Sequence, residues 1–359
     1  MHIEGITDLR IQEKTFFQCG TFSLTFPLAQ AVGGTALTAN YWSSHDWLEI
    51  DIYSGHRVVY SGIVDSVNVG LGHGRVVLTG RDKIAYFMDN RVAGTLTGNS
   101  ALPKLTASGI IEYMLAAATP SGKPLFPNTH IVPTQGVIQP LMKQNGQLAV
   151  VKNRTQWDLI IYLCNLVQYF AFVREGTFYF VPQAPLLQRN TAHKRIIHYD
   201  EWQKDRYASF GGLDLSFTHN LRLAKDITVR AYGKIAGSLI DTYVESKKGR
   251  SYGRIPETYY YYATGTVSSI GELQNFADAR ALAIAQNEVG LDIPLLGDWT
   301  LLPGDVLQIN NTNTQWDGEY HIYSVSRRLT PKEFTMQVQA KNHLPSIHVA
   351  LTNDIGGAS

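Results

Sequence analysis

Little in this chain points to chemistry. Its 359 residues include only 2 cysteines, Cys19 and Cys164. That excludes a disulfide-dense secreted scaffold. The two read as free thiols of a cytosol-made protein, with a single bridge as the alternative. Charged residues make up 17%, and 31 bases face 30 acids. No global field therefore draws the chain to nucleic acid or to an anionic membrane. No apolar run approaches the ~20 residues that cross a bilayer, so no stable membrane insertion is expected. His2, Glu4, Asp8 and Arg10 stand where a signal peptide would need its apolar stretch, which predicts synthesis in the cytoplasm.

Catalytic signatures are missing as well. There is no P-loop, no strand-linked GxGxxG, no GxSxG elbow and no HExxH. His193 and His198 lie near Asp200, but residues five apart on a strand face opposite sides and converge poorly on a metal. They read as surface or interface histidines. No cofactor, no metal and no enzymatic activity are expected.

What is present is a folded, strand-rich chain. Hydrophobic residues reach 44% and aromatics 11%, with 19 tyrosines suited to strands and contact surfaces. Residues 1–90 read as all-β. Phe22, Leu24 and Phe26 alternate with polar residues. Leu48, Ile50 and Ile52 take one face, and Glu49 and Asp51 the other. Ser54-Gly55-His56 and the glycines of residues 70–74 mark turns. Val76 and Leu78 then lead into Gly80-Arg81-Asp82-Lys83.

Residues 91–205 read as a small α/β domain. A helix is predicted over 106–118, ended by Thr119-Pro120, and residues 121–140 form an extended surface connection. A second helix follows Thr155 as N-cap, with Trp157, Ile160, Ile161, Cys164 and Val167 as its apolar stripe. A hairpin then turns at Glu175-Gly176. Residues 206–345 return to β, with an insert at about 235–297. The insert holds a polar segment at 245–257, the tyrosines Tyr259, Tyr260, Tyr261 and Tyr262, and a helix over 271–289. Residues 346–359 are expected to be a flexible tail.

The pattern of residues 301–340 repeats that of residues 47–82. At an offset of 258, Val64 meets Ile322, Val67 meets Val325, Val76 meets Phe334 and Leu78 meets Met336. With one extra residue, Leu48 and Ile50 meet Leu307 and Ile309. Two copies of one small β-domain, far apart in sequence, would produce this. The alternative is a chance match of two β-meanders. The predicted class is α+β, mainly β: two similar small β-barrels, an α/β middle domain and an insert with a helix in the second barrel.

Two groups of residues are candidates for a site. Asp51, Asp65 and Asp82 lie on or near neighbouring strands. A glycosidase needs two carboxylates ~5–10 Å apart across a cleft. Strand patterning instead makes them solvent-face or interface and channel charges, with Arg81 and Lys83 beside them. Lys247, Lys248, Arg250 and Arg254 interleave with Tyr252 ahead of the tyrosine run. Bases among aromatics can bind single-stranded nucleic acid. The balanced net charge favours a solvated loop whose tyrosines begin a strand, and a protein-contact loop is a third reading.

Four motifs, in this order, carry a resemblance. They are residues 63–82 running into Gly80-Arg81-Asp82-Lys83, the Trp157-led helix and hairpin ending at Pro182, the alanine-rich helix at 277–285, and residues 302–325. The chain resembles the baseplate hub proteins of contractile-tailed phages, especially the Mu-like tail proteins. The N-terminal parts of type VI secretion spike proteins are more distant relatives. Residues 119–140 and 240–265 stand outside the resemblance. It implies a homotrimeric virion structural protein whose two barrels per chain form a pseudo-sixfold ring. Its partners would be the hexameric tail tube protein above, the trimeric central spike below, and baseplate wedge or other tail proteins. DNA would pass through the channel without sequence-specific binding. The alternatives are a tail-associated cell-wall hydrolase and a carbohydrate- or receptor-binding tail module.

Overall fold

The computed structural model describes residues 5–15, 18–28, 31–32, 35–36, 41–42, 44–92, 106–116, 122–134, 155–167, 169–182, 194–209, 214–220, 227–235, 241–248, 257–267, 270–285 and 289–342. The expectations for His193, Arg250, Tyr252, Arg254 and residues 346–359 lie outside these. Nineteen strands and five α-helices follow in chain order among the described residues. They begin with β1 (Asp8–Lys14), β2 (Thr21–Pro27), β3 (Ala31–Val32), β4 (Thr35–Ala36), β5 (Glu49–Ser54), β6 (Arg57–Gly70), β7 (Arg75–Asp82) and α1 (Ile84–Asp89). Next come α2 (Ala107–Leu115), β8 (Asn128–Ile131), α3 (Gln156–Val167), β9 (Tyr169–Arg174), β10 (Thr177–Pro182), β11 (Lys194–His198), α4 (Tyr199–Ser209) and β12 (Ser216–His219). The chain continues with β13 (Ile227–Ile235), β14 (Asp241–Lys248), β15 (Glu257–Val267), α5 (Ile270–Ala285), β16 (Val289–Leu296), β17 (Val306–Asn310), β18 (Gly318–Leu329) and β19 (Phe334–Lys341). The class is α+β, mainly β. Among the described residues no helix is long and apolar enough to cross a membrane.

The chain divides into two compact units. The first comprises Met1–Arg189, Leu295–Leu302 and Ser324–Met336. In it β5, β6, β7, β2 and β1 lie side by side, and Ser324–Leu329 of β18 pairs antiparallel with β1. Leu9, Ile11, Phe22, Leu24, Phe26, Val76 and Leu78 project into one core at a period of two. A second core collects α1, α2, α3, β9 and β10 around Phe87, Ile111, Ile160, Leu163, Phe178 and Phe180.

Local sequence explains these elements. Thr155 and Asp158 cap α3 reciprocally: Asp158 N–H donates to Thr155 Oγ1 at 3.1 Å and Thr155 N–H to the Asp158 carboxylate at 3.0 Å. Glu175 and Gly176 both take positive φ, 51° and 73°, the combination that closes a two-residue hairpin. Within the connection over 121–140, the described residues 122–134 are less exposed than the sequence suggests. Leu125 and Phe126 are buried, and Asn128–Ile131 joins β10 as a parallel strand. Its polar composition hid two apolar anchors.

A strap crosses the first unit at residues 295–302. Gly297 N–H donates to Phe334 O at 2.8 Å, and a Cβ there would lie 2.1 Å from the Phe334 ring, so only glycine fits. Trp299 packs on the same ring at 4.7 Å. Arg327, its side chain 1% exposed, holds the strap from below. Its Nε donates to Asp298 O at 2.9 Å, and its other nitrogens donate to Leu301 O and to the Glu13 carboxylate on β1. Its guanidinium also lies 5.5 Å from the Trp299 ring centroid. Burial pushes the Glu13 carboxyl above its usual range, and the Arg327 charge opposes that only in part.

The second unit comprises Asn190–Pro294, Pro303–Tyr323 and Gln337–Ser359. Here β11 pairs parallel with β17, β17 pairs antiparallel with the start of β18, and β12 pairs with β16. A separate three-stranded sheet, ordered β14-β13-β15, lies against α5 through Val229, Ala231, Leu273, Ala277 and Ala281. Small helical residues let helix and sheet approach closely. The segment read as polar at 245–257 begins as β14, a strand ending at Lys248.

β5–β6–β7 and β17–β18–β19 are both runs of adjacent strands in chain order. Ile50 faces Gly62 and Ile52 faces Tyr60, while Leu307 faces Tyr320 and Ile309 faces Gly318. With Val64 matched to Ile322, Ile50 and Ile52 therefore take the places of Leu307 and Ile309. That is two residues on from the Leu48 and Ile50 of the sequence alignment. A slip of two keeps every side chain on its face, so alternation alone cannot detect it.

Replacing Arg327 with Met is expected to destabilise the protein by about 3–5 kcal/mol, because it strands a buried carboxylate. Urea denaturation measures this. Arg327→Met combined with Glu13→Gln should recover part of the loss; a double variant no more stable than the single one would contradict the pairing.

Candidate functional site

The charged residues of β5, β6 and β7 form two networks. A bulge sets the first. The β6–β7 register shifts between Val64 and Ser66, leaving Asp65 as the extra residue. Gly80 lies opposite, where a Cβ would sit 2.0 Å from Ile63 O. The bulge aims Asp65 at Arg81, which donates to it from Nε at 2.7 Å and from Nη2 at 2.8 Å. The same guanidinium reaches Asp89 on α1 at 2.7 and 3.1 Å. Hydrogen bonds donated to these two carboxylates hold Arg81 firmly protonated, above its usual range.

The second network surrounds Lys83, which is buried, with its Nζ 3.5 Å from Glu49 and 3.9 Å from Asp51. Ser61 Oγ donates to Asp51 at 2.5 Å, and Trp47 Nε1 donates to Glu49 at 2.9 Å. Asp82 turns inward. It accepts from Gly20 N–H at 2.5 Å, from Ile84 N–H at 2.9 Å, where it starts α1, and from Cys19 Sγ at 3.1 Å. Burial raises its carboxyl to about 6, against the opposing pull of those donors. Burial, with the Asp82 charge beside it, pushes the Cys19 thiol up.

Of the residues singled out in sequence, Asp65 and Arg81 remain partly exposed, and Asp51 lies at the rim. Asp82 and Lys83 face the interior and bind β2, β5, β7 and α1 to one another. Each of the three aspartates has a protein partner: Ser61 for Asp51, Arg81 for Asp65, and Gly20, Ile84 and Cys19 for Asp82. His198 Nδ1 lies 3.5 Å from Asn311 Nδ2, which donates to Asp200 at 3.2 Å. Among the described residues no group of three or more His, Cys, Asp or Glu could hold a metal ion.

Sequence reasoning missed one surface. Lys247 and Lys248 lie in β14, opposite Thr228 and Ile227 of β13. The face of that sheet away from α5 carries Tyr243, Tyr232 and Tyr260, one from each strand. Tyr232 stands 5.5 Å from Tyr243 and 6.5 Å from Tyr260, centroid to centroid, at interplanar angles of 35° and 25°. Arg230 lies over Tyr243 at 5.8 Å and pairs with Glu245 at 2.6 Å. The signal was the alternation Arg230, Tyr232 and Tyr243, Glu245, which a polar segment obscured.

Solved structures share the fold of this chain. No family model and no curated protein matches it. Among solved structures, the tail protein from Neisseria meningitidis MC58 matches 94% of this chain and 92% of its own, with a TM-score of 0.62 at 12% identity. The prophage tail protein gp18 from Listeria monocytogenes EGD-e matches 96% and 91%, with a TM-score of 0.56 at 12% identity. The 43 kDa tail protein of prophage MuSo2 from Shewanella oneidensis matches 94% and 93%, with a TM-score of 0.54 at 11% identity. The chain has the fold of these tail proteins over nearly its whole length.

Asp82 gives a pH test. The folded chain holds its proton up to about pH 6, whereas an ordinary aspartate releases it near 3.8. Between those values the unfolded chain binds fewer protons, so this contribution to stability falls as pH rises. The span corresponds to about 3 kcal/mol. Relative to Asp82→Asn, the wild type should lose stability from about pH 4 to about pH 6 in urea titrations. Parallel curves would exclude the linkage.

Proposed function

We propose that this chain is a structural component of a phage tail, a baseplate hub without enzymatic activity. The observation that carries the reading is the match to tail proteins over more than nine-tenths of the chain. Three copies form a ring. Each copy contributes two small β-barrels, one built on β5–β7 and one on β17–β19, so three chains present six similar units. Their corresponding registers support this internal repeat. Such a ring adapts a hexameric tail tube to a trimeric spike and lets DNA pass through its centre.

The physical case is one of edges and closure. A small β-domain that pairs its edge strand with a neighbour's removes an aggregation-prone edge. A head-to-tail interface whose rotation closes makes a ring instead of a filament. The near-zero net charge suits a channel that must not hold DNA tightly. Arg81, Asp65 and Asp51 are the partly exposed charges of the first domain and are assigned to ring or lumen contacts. Lys247, Lys248, Arg250, Tyr252 and Arg254 belong to the insert, where contacts with other tail proteins are expected. The virion is the site of function.

Mass measurement in solution with low-resolution imaging tests this. A particle of about 120 kDa, three times the 40.0 kDa chain, with a central hole is expected. A monomer that persists at high concentration and with the tube and spike proteins added would overturn the ring. Peptidoglycan cleavage abolished by changing Asp51, Asp65 and Asp82 would overturn the non-enzymatic reading.

A further inference from the structure

We infer that β12 of one copy adds as a strand to the uncovered edge of β6 in a second copy, and that this pairing joins neighbouring chains; the inference rests on the ring reading above and names its interface. An internal repeat wider than the two three-stranded runs carries it. Paired strands follow the order β5-β6-β7-β2-β1 in one set and β17-β18-β19-β16-β12 in the other. The chain also visits both sets in the same sequence: β1 or β12 first, β2 or β16 second, then the three-stranded run. β1 therefore corresponds to β12, β2 to β16 and β6 to β18. The pairings agree, since β1 lies antiparallel to β2 and β12 antiparallel to β16.

The two sets differ at one place. β17 pairs with the start of β18, and β1 pairs with residues 324–329 at its end. β5 likewise pairs with residues 57–63 at the start of β6, but among the described residues no strand continues beside residues 66–70 on that side. Exposure records the difference. Val325 and Arg327 are 0% and 2% exposed beside β1, whereas Val67 and Val69, at the matching positions, are only half-buried. Leu71 matches Leu329, which faces Leu9 on β1, and it is 71% exposed. An open edge carrying two valines, with a bare leucine at its end, is a sheet that lacks its next strand.

The repeat also selects the occupant. The end of β18 takes β1, so the end of β6 takes the counterpart of β1, which is β12. Within this chain β12 lies beside β16 and not beside β6, so the strand comes from a second copy. Its chemistry fits. Leu215 and Phe217 alternate with Ser216 and Thr218, as Leu9 and Ile11 alternate with Arg10 and Gln12. Matched in this way, Leu215 meets Leu71, Phe217 meets Val69, and Thr218 faces Asn68. Apolar side chains then share one face and polar ones the other, which fixes the register. The contact uses a different surface on each copy, and a head-to-tail contact of this kind closes into a ring.

Disulfide cross-linking of the full chain tests this. Residues directly opposite on antiparallel strands lie within disulfide reach. Thr218→Cys chains co-expressed with Asn68→Cys chains should form a covalent dimer of about 80 kDa on mild oxidation, twice the 40.0 kDa chain. A chain carrying both changes should reach about 120 kDa, and reduction should return it to 40.0 kDa. Both substitutions are at exposed positions. Either variant alone, with Cys19 and Cys164 in place, should not cross-link. Nor should Thr218→Cys co-expressed with Tyr53→Cys, which puts the thiol on β5 instead. Mass measurement beside the cross-linking separates the outcomes. A trimeric particle that does not cross-link through Thr218→Cys and Asn68→Cys, or does so equally through Tyr53→Cys, would overturn this joint and leave the ring standing. A cross-link confined within one chain would overturn the exchange between copies. A chain that stays monomeric, alone and with the tube and spike proteins added, would overturn both the ring and its joint.

Discussion

The first unit depends on one buried cation. Arg327 donates to two carbonyls of the strap, to the Glu13 carboxylate on β1, and stacks near Trp299. Remove it and the strap and β1 lose a common partner at once. A guanidinium suits this post because its fixed fork of donors serves several acceptors in one plane, which an ammonium cannot do. The burial of both charges has a cost, visible in the raised Glu13 carboxyl. The arrangement therefore contributes less to raw stability than to fixing which strands meet: β18 beside β1, with the strap over both.

The same logic recurs in smaller form at β5–β7. The bulge at Asp65, the missing side chain at Gly80 and the fork of Arg81 make one device. Lys83 between Glu49 and Asp51, and Asp82 between Gly20 and Ile84, fasten the neighbouring strands. Charges that look like solvent-face decoration thus serve as internal fasteners. Asp82 and Lys83 hold strands of the first unit together, and Asp65 and Arg81 hold each other at the surface.

Much of the fold was legible. Alternation located β2, β5–β7 and β17–β19, and the Thr155 cap, the Glu175-Gly176 turn and the α5 stripe were each readable from local chemistry. Three things were not. The two-residue slip between Ile50 and Leu307 preserves burial, so no pattern reports it. Leu125 and Phe126 sit in a polar stretch whose surroundings decide their burial. The inward turn of Asp82 depends on Gly20, 62 residues away. The tyrosine face was partly visible as a run of rings, but which of them share a side follows only from strand register.

Arg327 and Glu13 are separated by 314 residues. At translation rates of about 5–20 residues per second, Glu13 is made roughly 15–60 seconds before its partner exists. Residues Met1–Arg189 must wait, with β1 lacking a neighbour on one side, until Leu295–Leu302 and Ser324–Met336 arrive. Folding of the first unit is thus governed by its last-made strands, and a high contact order is built into the chain. Truncated chains ending before Arg327 would expose an unpaired strand edge, the surface on which nascent β-proteins aggregate.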